Sequence, residues 1–179
     1  FVDKIESIRK RILFGGLDNK HSRHTEFKIM KVGMIGLGHI GEGMSRRMIK
    51  EGIEVWGYGS NYQKACEQYG AGYISGCVTS LKYLVQAVKS DSQQYTSAGR
   101  IPGIFQITLP EEKVDDTINE LLPLLEGGDI IIDYSSTDIK RCQELELYCS
   151  KLGISYIFSG VYGAPHAIDV CSKIFQCLS

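Results

Sequence analysis

Short apolar runs alternate with longer segments of mixed polarity along most of this chain. Each run has the length of a buried β-strand. The runs lie at residues 32–35, 53–58, 104–109, 129–133 and 154–158. The clearest is 129–133, where three consecutive Ile residues without polar alternation are typical of a strand buried on both faces of a parallel sheet.

The segments between these runs place apolar residues three and four positions apart, which is the period of a helix with one buried face. The repeating positions are Ile40, Met44 and Met48; Leu81, Leu84, Val85 and Val88; Val114, Ile118, Leu121, Leu122 and Leu125; and Cys142, Leu145, Cys149 and Leu152. Asn61 is a suitable N-cap for one further helix, and Thr137 or Asp138 for another. Strands that alternate with helices predict an α/β fold with a doubly wound parallel sheet.

Three stretches do not follow this alternation. Residues 1–29 have mixed charge and a short apolar repeat, and we expect a poorly ordered extension, with a targeting leader as the alternative. Residues 90–99 are polar and predict a loop. The pattern fades after residue 163, so we interpret 30–163 as the domain and 164–179 as the truncated start of a following segment.

Composition excludes several classes of function. The 179 residues carry a net charge of −1, which lacks the cationic field that nucleic-acid binding uses. No apolar run reaches the roughly 20 residues that span a bilayer. The six Cys residues have no zinc-ligand spacing, so we expect no metal site and read them as buried thiols in a reducing, cytoplasmic protein.

A glycine-rich motif follows the first predicted strand and opens the first predicted helix. It reads Gly36-Leu37-Gly38-His39-Ile40-Gly41, a G-x-G-x-x-G pattern. In such a motif the first glycine permits a tight turn, the second lets a pyrophosphate touch the backbone, and the third lets helix and strand pack closely. The pyrophosphate then lies at the positive end of the helix. The context predicts a Rossmann-type dinucleotide-binding domain.

The residues after the second strand bear on which dinucleotide binds. NAD enzymes usually have Asp or Glu there to bind the ribose, whereas this chain has Tyr58-Gly59-Ser60-Asn61. The missing carboxylate favours NADP, although no Arg is present to bind a 2′-phosphate and Lys64 is the nearby cation. NAD remains the alternative, and Ser60 and Asn61 are equally consistent with a turn and a helix cap.

Ligands of open α/β sheets bind beyond the carboxyl ends of the strands. Four segments are predicted to meet there: residues 36–41, Thr108-Leu109-Pro110, residues 134–137, and Ser159-Gly160. Their hydroxyl groups suit a polyol or hydroxy acid beside a nicotinamide. The alternative is that Ser135, Ser136 and Thr137 only cap a helix.

Two segments carry a family resemblance. The sequence from Met30 to Gly41 resembles the start of the 6-phosphogluconate dehydrogenases and of the wider β-hydroxyacid dehydrogenases. Residues 114–133 are similar to the decarboxylating 6-phosphogluconate branch in particular. This resemblance implies hydride transfer from a sugar-acid substrate to NADP, followed by loss of CO₂. From the positions of the strand ends we expect residues 36–41, 59–61 and 108–110 to hold the cofactor.

The chain also differs from the family pattern at several positions. Ser136 occupies the position where the decarboxylating branch has an Asn that binds substrate and nicotinamide. Residues 135–137 are closer to the Ser-Ser-Thr of β-hydroxyacid dehydrogenases. Ser159-Gly160 correspond to the start of the family's substrate-binding loop. In the family a general-base Lys and a helical domain, which completes the substrate site and a homodimer, come later than residue 179. We therefore expect this chain alone to bind cofactor with little turnover. A smaller-substrate β-hydroxyacid dehydrogenase or imine-reductase relative, or a non-catalytic nucleotide-binding module, is the alternative.

Overall fold

Parallel strands dominate the computed structural model, which describes residues 30–90, 95–96, 99–136 and 138–160. The strands are β1 (Lys31–Ile35), β2 (Glu54–Tyr58), β3 (Gly76–Val78), β4 (Tyr95–Thr96), β5 (Gly99–Arg100), β6 (Ile104–Ile107), β7 (Ile130–Asp133) and β8 (Ser155–Phe158). Six of them form one sheet in the order β3-β2-β1-β6-β7-β8, with all neighbouring pairs parallel. The pair β4–β5 is a separate antiparallel ladder.

Within the described part of the chain, five α-helices connect these strands: α1 (His39–Lys50), α2 (Tyr62–Gly70), α3 (Leu81–Lys89), α4 (Val114–Leu121) and α5 (Ile139–Lys151). Single 3₁₀ turns at Glu111–Lys113 and Leu122–Leu124 extend α4 at its two ends. Among the residues that the structure describes, no helix combines the length and apolar character that a membrane span requires.

The sheet has a buried cluster on each face, as the apolar periodicity predicts. Helices α1 and α2 cover one face, where Met34 and Val55 pack beneath Met44. Helices α3, α4 and α5 cover the other face, which is centred on Phe105 and Ile131. The chain runs outward through β1, β2 and β3 and then returns, so that β6 lies on the other side of β1. The predicted Rossmann-type doubly wound sheet is therefore confirmed, and its strand order reverses between β1 and β6.

Several local predictions differ from the structure. The sequence gives no signal for β3, and the predicted loop at 90–99 contains β4 and the start of β5. The strand predicted at 104–109 ends at Ile107. Asp138 precedes α5, but its side chain makes no capping hydrogen bond, and Leu152 is exposed instead of buried. Residues 1–29, 161–179 and Thr137 lie outside the described residues.

A buried carboxylate joins the amino-terminal end of β7 to its surroundings. Asp129 is fully buried and lies 2.6 Å from Lys89 Nζ and 2.8 Å from Arg100 Nη2, and it also accepts hydrogen bonds from the N–H groups of Gly103 and Glu126. Burial alone raises the pKa of Asp129, but these donors outweigh it and hold the pKa below its usual value. The ion pairs therefore fix β5 and α3 to the start of β7.

Candidate functional site

The predicted site residues meet at one edge of the sheet. Gly36, Gly59, Thr108, Ser135 and Ser159 each follow a different strand, and all these strands are parallel neighbours. Their carboxyl ends therefore form one continuous rim, where open α/β sheets bind ligands. The structure brings together segments that are more than 120 residues apart in sequence.

Two of the three motif glycines are required by the fold. Gly36 has φ of +96°, a conformation that L side chains rarely adopt, and a Cβ there would collide with the carbonyl oxygen of Thr108. A Cβ on Gly41 would collide with the carbonyl oxygen of Gly36 and lie 2.6 Å from Thr108 Oγ1. These two glycines let α1 pack directly on the turn that follows β1.

The fold does not require a glycine at the middle position of the motif. Gly38 is exposed, has φ of −72° and ψ of −167°, and a Cβ built on it would have no protein atom within 4 Å among the described residues. Any small residue would satisfy the backbone at this position. The space that a side chain would fill is thus open, and it lies directly in front of the first turn of α1.

The amino-terminal end of α1 offers backbone donors to that space. Gly38 is the N-cap and provides no side-chain hydrogen bond, and the helical ladder starts with Glu42 N donating to Gly38 O at 2.9 Å. The N–H groups of His39, Ile40 and Gly41 precede that ladder. Free N–H groups at the positive end of a helix favour an anion such as a phosphate.

The other motif residues have different surroundings. The His39 side chain is exposed, Ile40 is half-buried, and the Leu37 side chain packs in the core against β2. Only the backbone of Leu37 is therefore available to a ligand. Its carbonyl oxygen accepts a hydrogen bond of 3.1 Å from Nε2 of Gln68, a buried residue of α2 whose amide also donates to Glu42 Oε2 at 3.0 Å. Sequence reasoning missed Gln68, although an amide on the buried face of an amphipathic helix is a usable signal.

The segment after β2 is uncharged at its first three positions. Gly59 is half-buried, and Ser60 and Asn61 are exposed. The Asn61 side chain accepts a hydrogen bond of 3.0 Å from Lys64 N, so the predicted helix cap is confirmed. This places Lys64 in the first turn of α2, close behind Ser60 and Asn61.

Hydrogen bonds join the strand ends across the rim. Thr108 Oγ1 donates to Gly36 O at 2.7 Å, which links the ends of β6 and β1. Leu109 N donates to Ser135 Oγ at 3.0 Å, which links the ends of β6 and β7. Ser135 therefore contacts a neighbouring loop, and within the described residues its side chain is not seen capping α5. Pro110 and Ser136 are exposed beside these bonds.

A buried acid lies beneath the last two strand ends. Asp133 is fully buried; its Oδ1 accepts from Ser135 N at 2.8 Å and its Oδ2 from Tyr156 Oη at 2.6 Å. Burial first, and then the Asp133 carboxylate, raises the pKa of Tyr156, so the phenol remains a donor. Sequence reasoning assigned neither residue a role. A polar residue that ends an all-apolar strand is the signal that points to Asp133.

The predicted substrate residues lie at the same end of the rim. Ser136 and Gly160 are exposed, whereas Ser159 is nearly buried and donates its N–H to Asp133 O at 2.8 Å. In the part of the chain that the structure describes, no group of three or more His, Cys, Asp or Glu residues is arranged to hold a metal ion.

Comparison with known proteins agrees with this arrangement. A decarboxylating 6-phosphogluconate dehydrogenase from Drosophila simulans is 31% identical over 141 residues, which cover 74% of this chain and 26% of that protein. Another from Candida albicans is 31% identical over 169 residues, covering 90% of this chain and 29% of that protein. The chain thus spans less than a third of the length of these two relatives.

A solved structure shows the same fold. Plasmodium falciparum 6-phosphogluconate dehydrogenase superposes with a TM-score of 0.64 at 19% identity, covering 78% of this chain and 28% of that one. The protein-family model that describes the NAD binding domain of 6-phosphogluconate dehydrogenase matches residues 31–170, which is well over half of the chain. The resemblance carried by the glycine motif and by residues 114–133 is therefore confirmed: this chain belongs to the family of 6-phosphogluconate dehydrogenase NAD-binding domains.

Proposed function

We propose that this domain binds NADP as the cofactor half of an oxidoreductase that acts on a sugar acid such as 6-phosphogluconate. The observation that carries the proposal is the open space at Gly38, which the fold does not need and a diphosphate would fill. The adjacent N–H groups of His39, Ile40 and Gly41 would donate to that diphosphate. The Drosophila and Candida relatives carry the name of the decarboxylating enzyme, which supports this substrate class.

NADP is favoured over NAD by the segment after β2. Gly59, Ser60 and Asn61 supply no carboxylate to repel a 2′-phosphate, and Lys64 lies one turn into α2. The Plasmodium structure with this fold is described in complex with NADP⁺ and with 6-phosphogluconate. An imine reductase of the same fold, from Myxococcus stipitatus, is described with NAD⁺, so the fold alone does not decide between the two.

The bound nicotinamide would supply the hydride acceptor, and the residues of this chain would orient it. Thr108, Leu109 and Pro110 would line the nicotinamide side, and Ser136, Ser159 and Gly160 the substrate side. In the complete enzyme the oxidised β-keto acid would lose CO₂. Because the chain spans less than a third of the two 6-phosphogluconate dehydrogenases described above, we propose that these 179 residues alone bind cofactor with little turnover, and that a homodimer belongs to the longer enzyme.

A second candidate is a dehydrogenase for a smaller β-hydroxy acid. It is favoured by Ser135 and Ser136, which stand at the end of β7 without an amide side chain. The structure of 3-hydroxyisobutyrate dehydrogenase from Mycobacterium tuberculosis, at a TM-score of 0.64 and 15% identity, supports only the shared fold. A cytoplasmic location fits both candidates, and fractionation of cells that express the protein would test it.

The experiment is a calorimetric titration of the chain with NADP⁺ and NAD⁺, each repeated with 6-phosphogluconate and with 3-hydroxyisobutyrate. We expect tighter binding of NADP⁺. The variant Ser60→Asp places a carboxylate beside the ribose, so NADP⁺ should bind at least about tenfold more weakly while NAD⁺ does not. The matched neutral variant Ser60→Asn should leave the preference unchanged.

Each result bears on a separate part of the proposal. If neither dinucleotide binds, the cofactor assignment is wrong. If NAD⁺ binds more tightly, the NADP preference is wrong and the fold assignment stands. A calorimetric response to 3-hydroxyisobutyrate but not to 6-phosphogluconate would favour the second candidate.

A further inference from the structure

A chain of hydrogen bonds beneath β7 and β8 leads from a buried phenol to the rim. Tyr156 donates to Asp133 Oδ2 at 2.6 Å, and Asp133 Oδ1 accepts from Ser135 N at 2.8 Å. Ser135 Oγ in turn accepts from Leu109 N at 3.0 Å. The first two bonds are buried and the third is partly buried, so water has little access to them and each bond defines the position of the next group.

The sheet register explains why these groups meet. Ile131 pairs with Tyr156, so Asp133, two residues further along β7, projects from the same face of the sheet as Ile131. The phenol ring of Tyr156 thus extends along that face to the carboxylate. An acid at this position has no role in the apolar core, and burying it is costly without strong donors. Among the described residues, its donors are the Tyr156 hydroxyl and the loop N–H of Ser135.

The location identifies which part of the cofactor this chain would affect. Dinucleotides lie across the point where strand order reverses, which here is between β1 and β6. The adenosine half then lies over β1, β2 and β3, and the nicotinamide half over β6, β7 and β8. Leu109 and Ser135 lie at the ends of β6 and β7, and therefore on the nicotinamide side.

We propose that Tyr156 and Asp133 are positioning residues that hold Leu109 and Ser135 in place for the nicotinamide half of the cofactor. This inference rests on the proposed function. The Tyr156 hydroxyl fixes the carboxylate, the carboxylate fixes the backbone of Ser135, and the Ser135 hydroxyl fixes the backbone of Leu109. The adenosine half, held by the glycine motif and the segment after β2, does not depend on this chain of bonds.

The test separates the two halves of the cofactor. Tyr156→Phe removes one hydroxyl and keeps the ring, and Ser135→Ala removes the acceptor for Leu109 N. Each variant is titrated with NADP⁺ and with 2′,5′-ADP, which carries only the adenosine half. We expect NADP⁺ to bind roughly 3- to 10-fold more weakly in each variant, as loss of one hydrogen bond would give, while 2′,5′-ADP binds as before.

A control excludes a general loss of stability. Ile118→Val shortens a fully buried side chain of α4 away from the rim, and it should lower the unfolding midpoint without changing either affinity. If Tyr156→Phe and Ser135→Ala weaken both ligands equally, or neither, the positioning role is wrong. If the unaltered chain binds neither ligand, the proposed function itself fails. Should Tyr156→Phe not fold, Ser135→Ala still decides the question.

Discussion

Gly38→Ala tests whether the middle glycine of the motif serves the fold or a ligand. The added methyl group would meet no described protein atom within 4 Å, and φ of −72° is allowed for Ala. Ala lowers the entropy of the unfolded chain, which stabilises by about 0.4–1 kcal/mol, but it is a poorer N-cap than Gly by a similar amount. We therefore expect the free energy of unfolding to change by less than about 1 kcal/mol.

Cofactor affinity should respond very differently. If a diphosphate lies against Gly38, the methyl group displaces it from the N–H groups of His39 and Ile40. Losing one or two charge-assisted hydrogen bonds amounts to about 2–4 kcal/mol, or roughly a 30- to 1,000-fold rise in Kd. The assays are urea unfolding for stability and calorimetric titration with NADP⁺ for affinity.

Two further glycines provide controls. Gly70→Ala makes the same change at the end of α2, where a Cβ also meets nothing within 4 Å, and it should leave the NADP⁺ affinity unchanged. Gly41→Ala should destabilise the fold, because its Cβ would collide with the carbonyl oxygen of Gly36. The reasoning is refuted if Gly38→Ala binds NADP⁺ as tightly as the unaltered chain, or if it unfolds as readily as Gly41→Ala.

Two other predictions concern stability and thiol chemistry. The pKa of Asp129 is lowered in the folded state, so its contribution is present above the usual value of 3.8 and is lost as pH falls through the folded pKa. Asp129→Asn should cost roughly 2–4 kcal/mol at pH 7, because Lys89 and Arg100 each lose their close ion pair with this buried carboxylate. The difference in urea midpoint from the unaltered chain should shrink towards pH 3, and a difference independent of pH would contradict this. The Sγ atoms of Cys66 and Cys77 lie 3.6 Å apart. Among the four cysteines that the structure describes, a mild disulfide oxidant such as oxidised glutathione should therefore join this pair first, and peptide mass mapping should find the pair lost in Cys66→Ser. Cross-linking through Cys142 or Cys149 at an equal rate would contradict the geometry.

Long apolar strands could be predicted because their signal is local. The runs at 129–133 and 154–158 need no partner to be recognised, since the side chains in the middle of each run are mostly apolar. Strand β3 has only three residues, Gly76–Val78, and exists because β2 offers it an edge. The β4–β5 ladder has two residues on each strand. Such short elements depend on tertiary pairing, which a local pattern does not contain.

In the candidate site too, some features could be predicted from the local sequence and others depend on tertiary packing. The glycine motif and the cap at Asn61 could be predicted, because turn and cap chemistry is local. The acceptor role of Ser135 depends on Leu109, 26 residues earlier, and the role of Gln68 depends on Leu37, 31 residues earlier. A hydroxyl or amide at such a position is equally consistent with a cap, a core contact or a ligand, and only the packed sheet distinguishes them.

The three motif glycines therefore give different information about function. Gly36 and Gly41 are needed by any chain that packs α1 this closely on β1, so their presence indicates the fold and nothing more. Packing does not require a glycine at position 38, and a chain with this fold that bound no nucleotide would accept a small side chain there. Of the three motif glycines, Gly38 therefore points most directly to a cofactor, since the part of a binding loop that the protein leaves open is the part that a ligand fills.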